Sequence, residues 1–338
     1  MANLIGHERV MEVLERAVRE GRPAHAYLFT GREGIGKKRA AIDFACRLMC
    51  PGPEADRDAT CPVCRRIVAR NHPDVAVETP ERGIIRIDRI RILQGYFRYA
   101  PIEGEFKITV IDDAHTMNAA AQNALLKTLE EPPAGRILIL VTSKPFLLLP
   151  TVRSRVRRIR FAPLSVDEVA GILERDRGVP AQRAEMLASM SGGSVARALE
   201  MDDSGFLDLR DNMLTVLKDP GALGIAGIVE MSSGLSSDKK RAADAIDIAV
   251  TWIRDQLTTL VGGDAWPYPR GDSPGEDSSA PCRFTARELL SVYDELLRAS
   301  ALIEADINAN RNLITDVMLL KMARVLAGPT FGITGGNG

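Results

Sequence analysis

One stretch fixes most of what this chain can fold into: Gly31-Arg32-Glu33-Gly34-Ile35-Gly36-Lys37-Lys38. It follows an apolar run, Ala26-Tyr27-Leu28-Phe29, and precedes a helical pattern from Arg39 to Met49. Strand, glycine loop and helix together are the context of a phosphate-binding loop. Glycines let the backbone fold back so that its N–H groups point at phosphate oxygens, and the helix N-terminus adds positive potential. Gly31, Gly34 and Gly36 form the cradle, and Lys37 is placed to reach the outer phosphates. The pattern then requires Ser or Thr, whose hydroxyl holds Mg²⁺. This chain has Lys38 there, and an ammonium cannot ligate a cation. The loop is built to hold a nucleotide and poorly equipped to hydrolyse it.

The second signal is Phe106-Lys107-Ile108-Thr109-Val110-Ile111-Asp112-Asp113. A β-prone run ending in two acids has the layout of a Walker B strand. There the first carboxylate steadies Mg²⁺, and the second, normally Glu, polarises the attacking water. Asp113 is one methylene shorter than Glu, and misplacing a catalytic group by about 1 Å can cost ~100-fold in rate. Both departures, Lys38 and Asp113, weaken hydrolysis and leave the cradle in place.

Cys50, Cys61 and Cys64 stand in a Cys-x10-Cys-x2-Cys array. Tetrahedral zinc needs thiolates converging from two chain segments, so the array reads as a knuckle over 50–64. Its fourth ligand is not evident. The next x2 step lands on Ile67, with Cys46 and His72 as stand-ins. His72, in Asn71-His72-Pro73-Asp74, reads more readily as a turn or capping residue. Four of the five cysteines lie between Cys46 and Cys64, which fits a metal site in a reducing compartment better than a disulfide framework.

Further along, Val75-Ala76-Val77 reads as a strand, and Ile90, Leu93 and Phe97 lie on a helix flanked by Arg86, Arg89, Arg91 and Arg98. Asn118 to Glu131 is a helix stopped by Pro132-Pro133, and Ile137 to Val141 is a buried-strand run followed by Thr142. Then come five arginines in eight residues, Arg153, Arg155, Arg157, Arg158 and Arg160. Such density is more than an ordinary surface needs. From Ser165-x-x-Glu168, a capping box, to the end the pattern is helical, and a second box stands at Thr285-x-x-Glu288. The stretch 262–281 is rich in Gly, Pro, Ser and Asp and reads as a mobile loop.

A chain of 338 residues calls for two or three domains. Formal net charge is −1, so any nucleic-acid role needs a local basic surface. No apolar run approaches the ~20 residues of a membrane span. The first residues carry no signal-peptide pattern, and a cytoplasmic protein is expected.

With these residues assembled, the chain resembles the bacterial clamp-loader subunits of the AAA+ class. The resemblance rests on Ala24-His25-Ala26-Tyr27-Leu28-Phe29, the cysteine knuckle, Asn123-Ala124-Leu125-Leu126-Lys127-Thr128-Leu129-Glu130-Glu131-Pro132-Pro133, and Thr151-Val152-Arg153-Ser154-Arg155. It covers residues 1 to about 200 well and extends loosely to Asn308-Ala309-Asn310-Arg311-Asn312-Leu313. It implies an α/β P-loop NTPase domain with a parallel sheet (1–163), a small helical lid (164–204) and an all-α collar for oligomerisation (205–338). It places Arg155, in Ser154-Arg155-Val156, as an arginine finger presented in trans to a neighbour's ATP. Arg197 falls at sensor 2, Thr142 at sensor 1, and Asp112 and Asp113 at Walker B. The family's knuckle normally has a fourth Cys where this chain has Ile67.

The implied cofactors are ATP or ADP without efficient hydrolysis, Mg²⁺, and zinc at Cys50, Cys61 and Cys64. The implied partners are the delta and gamma/tau-type subunits of a hetero-pentamer, the sliding clamp, and primer–template DNA contacted through the complex, all within the nucleoid-associated replisome. The expected role is a stator-like subunit of the DNA polymerase III clamp loader, without polymerase chemistry and with weak or absent ATPase. The alternatives are a working motor subunit of gamma/tau type and, from another class, a DNA-acting AAA+ ATPase. The second would need a dedicated DNA-binding module after the lid.

Overall fold

The computed structural model describes residues 5–50, 61–261, 284–305 and 310–327. The 262–281 stretch, Cys282, and Asn308-Ala309 therefore lie outside the described residues. The chain divides into two compact units, Met1–Leu199 and Glu200–Gly338.

The first unit is built on five parallel strands: β1 (Ala26–Thr30), β2 (Val75–Glu78), β3 (Lys107–Ile111), β4 (Arg136–Thr142) and β5 (Arg157–Arg160). Their order across the sheet is β2-β3-β4-β1-β5. Every residue of β1 and β3 is buried, as expected for strands covered on both faces. Side chains alternate between two cores, one on each face. Tyr27, Phe29, Ile137, Ile139 and Val141 pack with Leu14 of α1 (Glu8–Arg19) and Phe44 of α2 (Lys37–Met49). Ala26, Leu28, Leu138 and Leu140 pack on the other face. Their partners there are Ile90 and Phe97 of α4 (Ile87–Arg98) and Leu125 and Leu129 of α5 (Ala119–Glu130). This is an α/β fold with a parallel sheet between two helical layers. Strand β5 was not evident beforehand: it is an edge strand with one buried residue, Ile159, between exposed arginines.

Helix α3 (Pro62–Val68) follows Cys61, and the short α6 (Pro150–Arg153) precedes the arginine run. A helical module closes the unit: α7 (Val166–Arg177), α8 (Ala181–Ser191) and the start of α9 (Val195–Asp203). The expected capping box is present, with Ser165 and Glu168 each satisfying the other's backbone N–H.

The second unit is helical in its described residues: α10 (Phe206–Lys218), α11 (Pro220–Ser236), α12 (Lys239–Leu260), α13 (Ala286–Glu304) and α14 (Arg311–Ala327). Helix α11 packs on α14, and α13 packs on both α12 and α14. The fully buried hydroxyls of Ser232 and Thr315 pair at 2.7 Å between α11 and α14. Thr285 and Glu288 form the second capping box. No helix among the described residues is long and apolar enough to cross a membrane.

One buried polar knot holds the base of the sheet. Asp74 is fully buried and accepts the N–H groups of Ile102 (2.8 Å) and Glu103 (2.7 Å), with the Lys107 ammonium at 3.7 Å. Lys107 also lies 4.4 Å from the centroid of the Tyr96 ring. Burial pushes the Asp74 carboxyl up, but those N–H groups and Lys107 together hold it below the usual carboxylate range. Asp74→Ala leaves Lys107 buried without its counter-charge and should cost about 3–5 kcal/mol in urea unfolding. In the native protein this contribution is present above the unfolded carboxyl's pKa. It should fade as pH falls through the lower folded value, and the variant should lack that acid transition.

Candidate functional site: a phosphate loop with an internal cation

The parallel register carries the chemistry-bearing residues to one edge. Thr30 of β1 pairs with Thr142 of β4, and Ile111 of β3 with Leu140. The C-terminal ends of these strands therefore deliver Gly31, Asp112 and Thr142 side by side, the position where open α/β sheets bind ligands.

The loop turns through Gly34 and Gly36, both at positive φ (+75° and +94°), into α2. Lys37 is buried, and its ammonium donates to the backbone carbonyl of Arg32. Burial lowers its pKa, while Asp113, Asp112 and Glu33 pull it back up. Lys38 reaches the other way. Its Nζ lies 2.8 Å from Asp112 Oδ2, with 34% of the Lys38 side chain exposed and 15% of the Asp112 side chain. The lysine that stands where the P-loop pattern has a hydroxyl is thus paired with the first acid of the Asp112-Asp113 pair.

Asp113 sits at φ 47°, ψ 45°, an uncommon conformation for a residue with a side chain, and heads a short turn over Ala114–Thr116. Burial and the neighbouring Asp112 charge push its carboxyl above the usual range, against the pull of His115 and Lys37. Thr142 is fully buried. Its hydroxyl is 3.1 Å from His115 Nδ1 and accepts the Lys144 N–H at 3.0 Å. His115 was missed in the sequence, although it directly follows Asp112-Asp113-Ala114. His7 was missed as well. Its Nε2 donates to the Ile35 carbonyl of the loop at 2.8 Å, and its ring stacks edge-on against Phe161.

The helical module is stitched to the loop. Ala196 N–H donates to Gly34 O (3.2 Å), and Arg32 Nη1 donates to Gly192 O (2.8 Å). Arg197 starts the same helix, its N–H donating to Ser194 Oγ at 3.2 Å. The loop, the two acids, Thr142 and this helix are thereby gathered around one edge.

Arg155 is elsewhere on the unit. Its guanidinium folds back to Glu130 Oε1 at 2.9 Å and donates to Thr151 O (3.0 Å) and Ser154 Oγ (3.2 Å). Among its neighbours, Arg153, Arg157 and Arg160 are exposed, and Arg158 donates to Thr30 Oγ1 at 3.3 Å. On α4 the structure brings Arg89 onto Glu78 in a two-pronged pair at 2.8 and 2.9 Å.

Cys50, Cys61 and Cys64 come together, their sulfurs all within 4.8 Å of one another. Cys50 caps α2, and Cys61 and Cys64 open α3, so two segments converge as a zinc site requires. Ile67 is fully buried in the same core, and Cys46 hydrogen-bonds to Cys64. His72 is not among the three clustered ligand atoms. It is buried and accepts the Asp74 N–H at 3.2 Å through Nδ1, the turn role that its sequence context suggested.

At Gly34 an added Cβ would lie 2.1 Å from Ser194 Oγ and 2.8 Å from Ala196 Cβ, at a φ that costs an L-residue about 1–2 kcal/mol. Gly34→Ala should therefore push the helical module off the loop. Hydrogen exchange should accelerate over 191–197, with a stability loss of at least ~1–2 kcal/mol; unchanged exchange there would refute the stitching.

Comparison with known proteins points in one direction. A family model described as DNA polymerase III, delta subunit, matches residues 6–165. The chain is 35% identical over 320 residues to DNA polymerase III subunit delta' of Pseudomonas aeruginosa, covering 90% of this chain and 93% of that one. To DNA polymerase III subunit delta' of Bacillus subtilis it is 31% identical over 261 residues, covering 76% and 78%. It is also 30% identical over 255 residues to DNA polymerase III subunit tau of Bacillus subtilis, covering 72% of this chain and 44% of that one.

Proposed function

Because the chain belongs to the DNA polymerase III delta-prime family, we propose that it serves as the stator-like subunit of the clamp loader, cradling a nucleotide without turning it over. The observation that carries this reading is the Lys38–Asp112 pair. Hydrolysis at a P-loop uses a hydroxyl and a carboxylate on Mg²⁺ and a second acid on the water. Here the hydroxyl is replaced by an ammonium, the carboxylate is neutralised by it, and Asp113 is short and drawn toward the protonated form. The phosphate cradle itself (Gly31, Gly34, Gly36 and Lys37) is retained.

Arg155 supplies the charge that a neighbouring ATPase lacks. A guanidinium delivered in trans neutralises transition-state charge on the transferring phosphoryl group and is worth ~10³–10⁵ in rate. Arg155 stands at the end of α6 on the surface, tethered only by partly exposed groups, so it is free to be handed across an interface. Arg197 and Thr142 complete the nucleotide edge as sensors. The second unit acts as the collar that docks with delta and gamma/tau-type subunits. The sliding clamp and primer–template DNA are reached through the assembled complex, and the arginines give phosphate-directed affinity without sequence choice.

Three thiolates at Cys50, Cys61 and Cys64 suit zinc, which pins the end of α2 to α3. The site supports the fold and takes no part in the chemistry at the loop. The similarity to a tau subunit keeps a motor reading in view, but a motor needs a metal ligand where Lys38 stands.

Three measurements bear on this. In the reconstituted complex, Arg155→Ala should lower turnover at the site facing it by ~10³ or more, with assembly unchanged by gel filtration. Full turnover would remove the finger assignment. The isolated chain should show no ATP hydrolysis above background, and motor-like rates would sink the stator reading. Elemental analysis should find about one zinc per chain, lost in Cys61→Ser.

A further inference from the structure

Lys38 does more than remove a metal ligand. Its ammonium is 2.8 Å from Asp112 Oδ2, at the end of β3 next to the start of α2. In a working site that point belongs to the cation, between the acid and the outer phosphates. Mg²⁺ demands near-octahedral oxygens at about 2.0–2.1 Å. This edge instead presents a positive nitrogen where an oxygen should be, and an acid whose charge is already met. The residues present do not fit Mg²⁺.

We propose that the loop takes a nucleoside polyphosphate as the free anion, with Lys38 as the built-in counter-ion in place of Mg²⁺. The inference rests on the reading above that the loop cradles a nucleotide. The charges facing the ligand support it. Lys37 and Lys38 stand in the first turn of α2, whose N-terminus adds positive potential, and Arg32 lies in the loop. Against them stand Asp112, Asp113 and Glu33, of which Asp112 is already paired with Lys38. A metal-free di- or triphosphate carries its full negative charge to this edge. Complexed with Mg²⁺ it carries two fewer charges and sets a dication beside the Lys38 ammonium. Partial burial leaves that repulsion only partly screened. Metal therefore opposes binding here, the reverse of an ordinary P-loop.

The test is a calorimetric titration of the full chain with ADP, once in EDTA and once in excess Mg²⁺. ADP should bind in EDTA at least as tightly as in Mg²⁺, by a factor of ~10 where the two charges meet directly. Lys38→Thr restores a hydroxyl and frees Asp112, so its ADP affinity should fall in EDTA and rise ~10-fold or more on adding Mg²⁺. Lys37→Ala should lose binding in both buffers, which ties the signal to the loop. Thermal unfolding of each variant checks that it is folded. Tenfold tighter binding of ADP to the native chain in Mg²⁺ would overturn the proposal and leave the cradle standing. So would a Lys38→Thr variant that behaves like the native chain. No ADP binding in either buffer would overturn the cradle and this proposal together, while the Arg155 assignment, read in the partners' turnover, would be untouched.

Discussion

The parallel pairing of β3, β4 and β1 is what the rest of the first unit depends on. These strands are buried on both faces, so their order and register are fixed by two apolar cores at once. A slip of one residue would exchange Tyr27 and Phe29 with Ala26 and Leu28 and swap the large and small sides of the sheet. With register fixed, Thr30, Ile111 and Thr142 end at neighbouring points. The glycine loop, the two acids and the buried threonine then meet without any of them having to specify the meeting.

The polar groups at that edge are linked into a single arrangement. His7 holds the loop from below through Ile35, the helical module holds it from the side through Gly34 and Gly192, and Lys38 ties α2 to β3. Thr142 is bonded to His115, which follows Asp113 by one turn residue. A change at the loop is thus transmitted to the helical module by hydrogen bonds of about 3 Å, and to the acids by charge. An edge of this kind holds a fixed shape.

The fold class was legible in the sequence because its signals are local. Buried parallel strands read as unbroken apolar runs, the P-loop reads from glycine spacing, and both capping boxes read from Ser165-x-x-Glu168 and Thr285-x-x-Glu288. Strand β5 was not legible. As an edge strand it buries only Ile159, so its hydrophobic signal is a single residue among arginines. The long-range polar contacts were equally hidden. Lys38 was seen to be wrong for Mg²⁺, but its pairing with Asp112, 74 positions on, follows only from the sheet order. His7 and His115 carry no spacing signature of their own; their roles exist only once β1, β3 and β4 are adjacent. The cysteines were found as a pattern, and only the fold shows that three sulfurs converge; Ile67, where the x2 spacing would put a fourth ligand, is buried in the apolar core.

The state of Arg155 follows from magnitudes. Its pair with Glu130 is partly exposed, with 37% of the arginine side chain and 51% of the glutamate accessible. Such pairs contribute only ~0.2–1 kcal/mol. The two further hydrogen bonds, to Thr151 O and Ser154 Oγ, are also on the surface, where water replaces them at little cost. A guanidinium held this loosely can be drawn off by a partly desolvated phosphate, whose charge-assisted bonds are roughly twice as strong as neutral ones. The Glu130 pair is therefore a weak tether on the Arg155 side chain. Had the same pair been buried like Asp74 and Lys107, removing one partner would cost several kcal/mol. The same sheet thus carries a locked pair at its base and a loose one at its surface, and only the loose one can be exchanged for another partner at little cost.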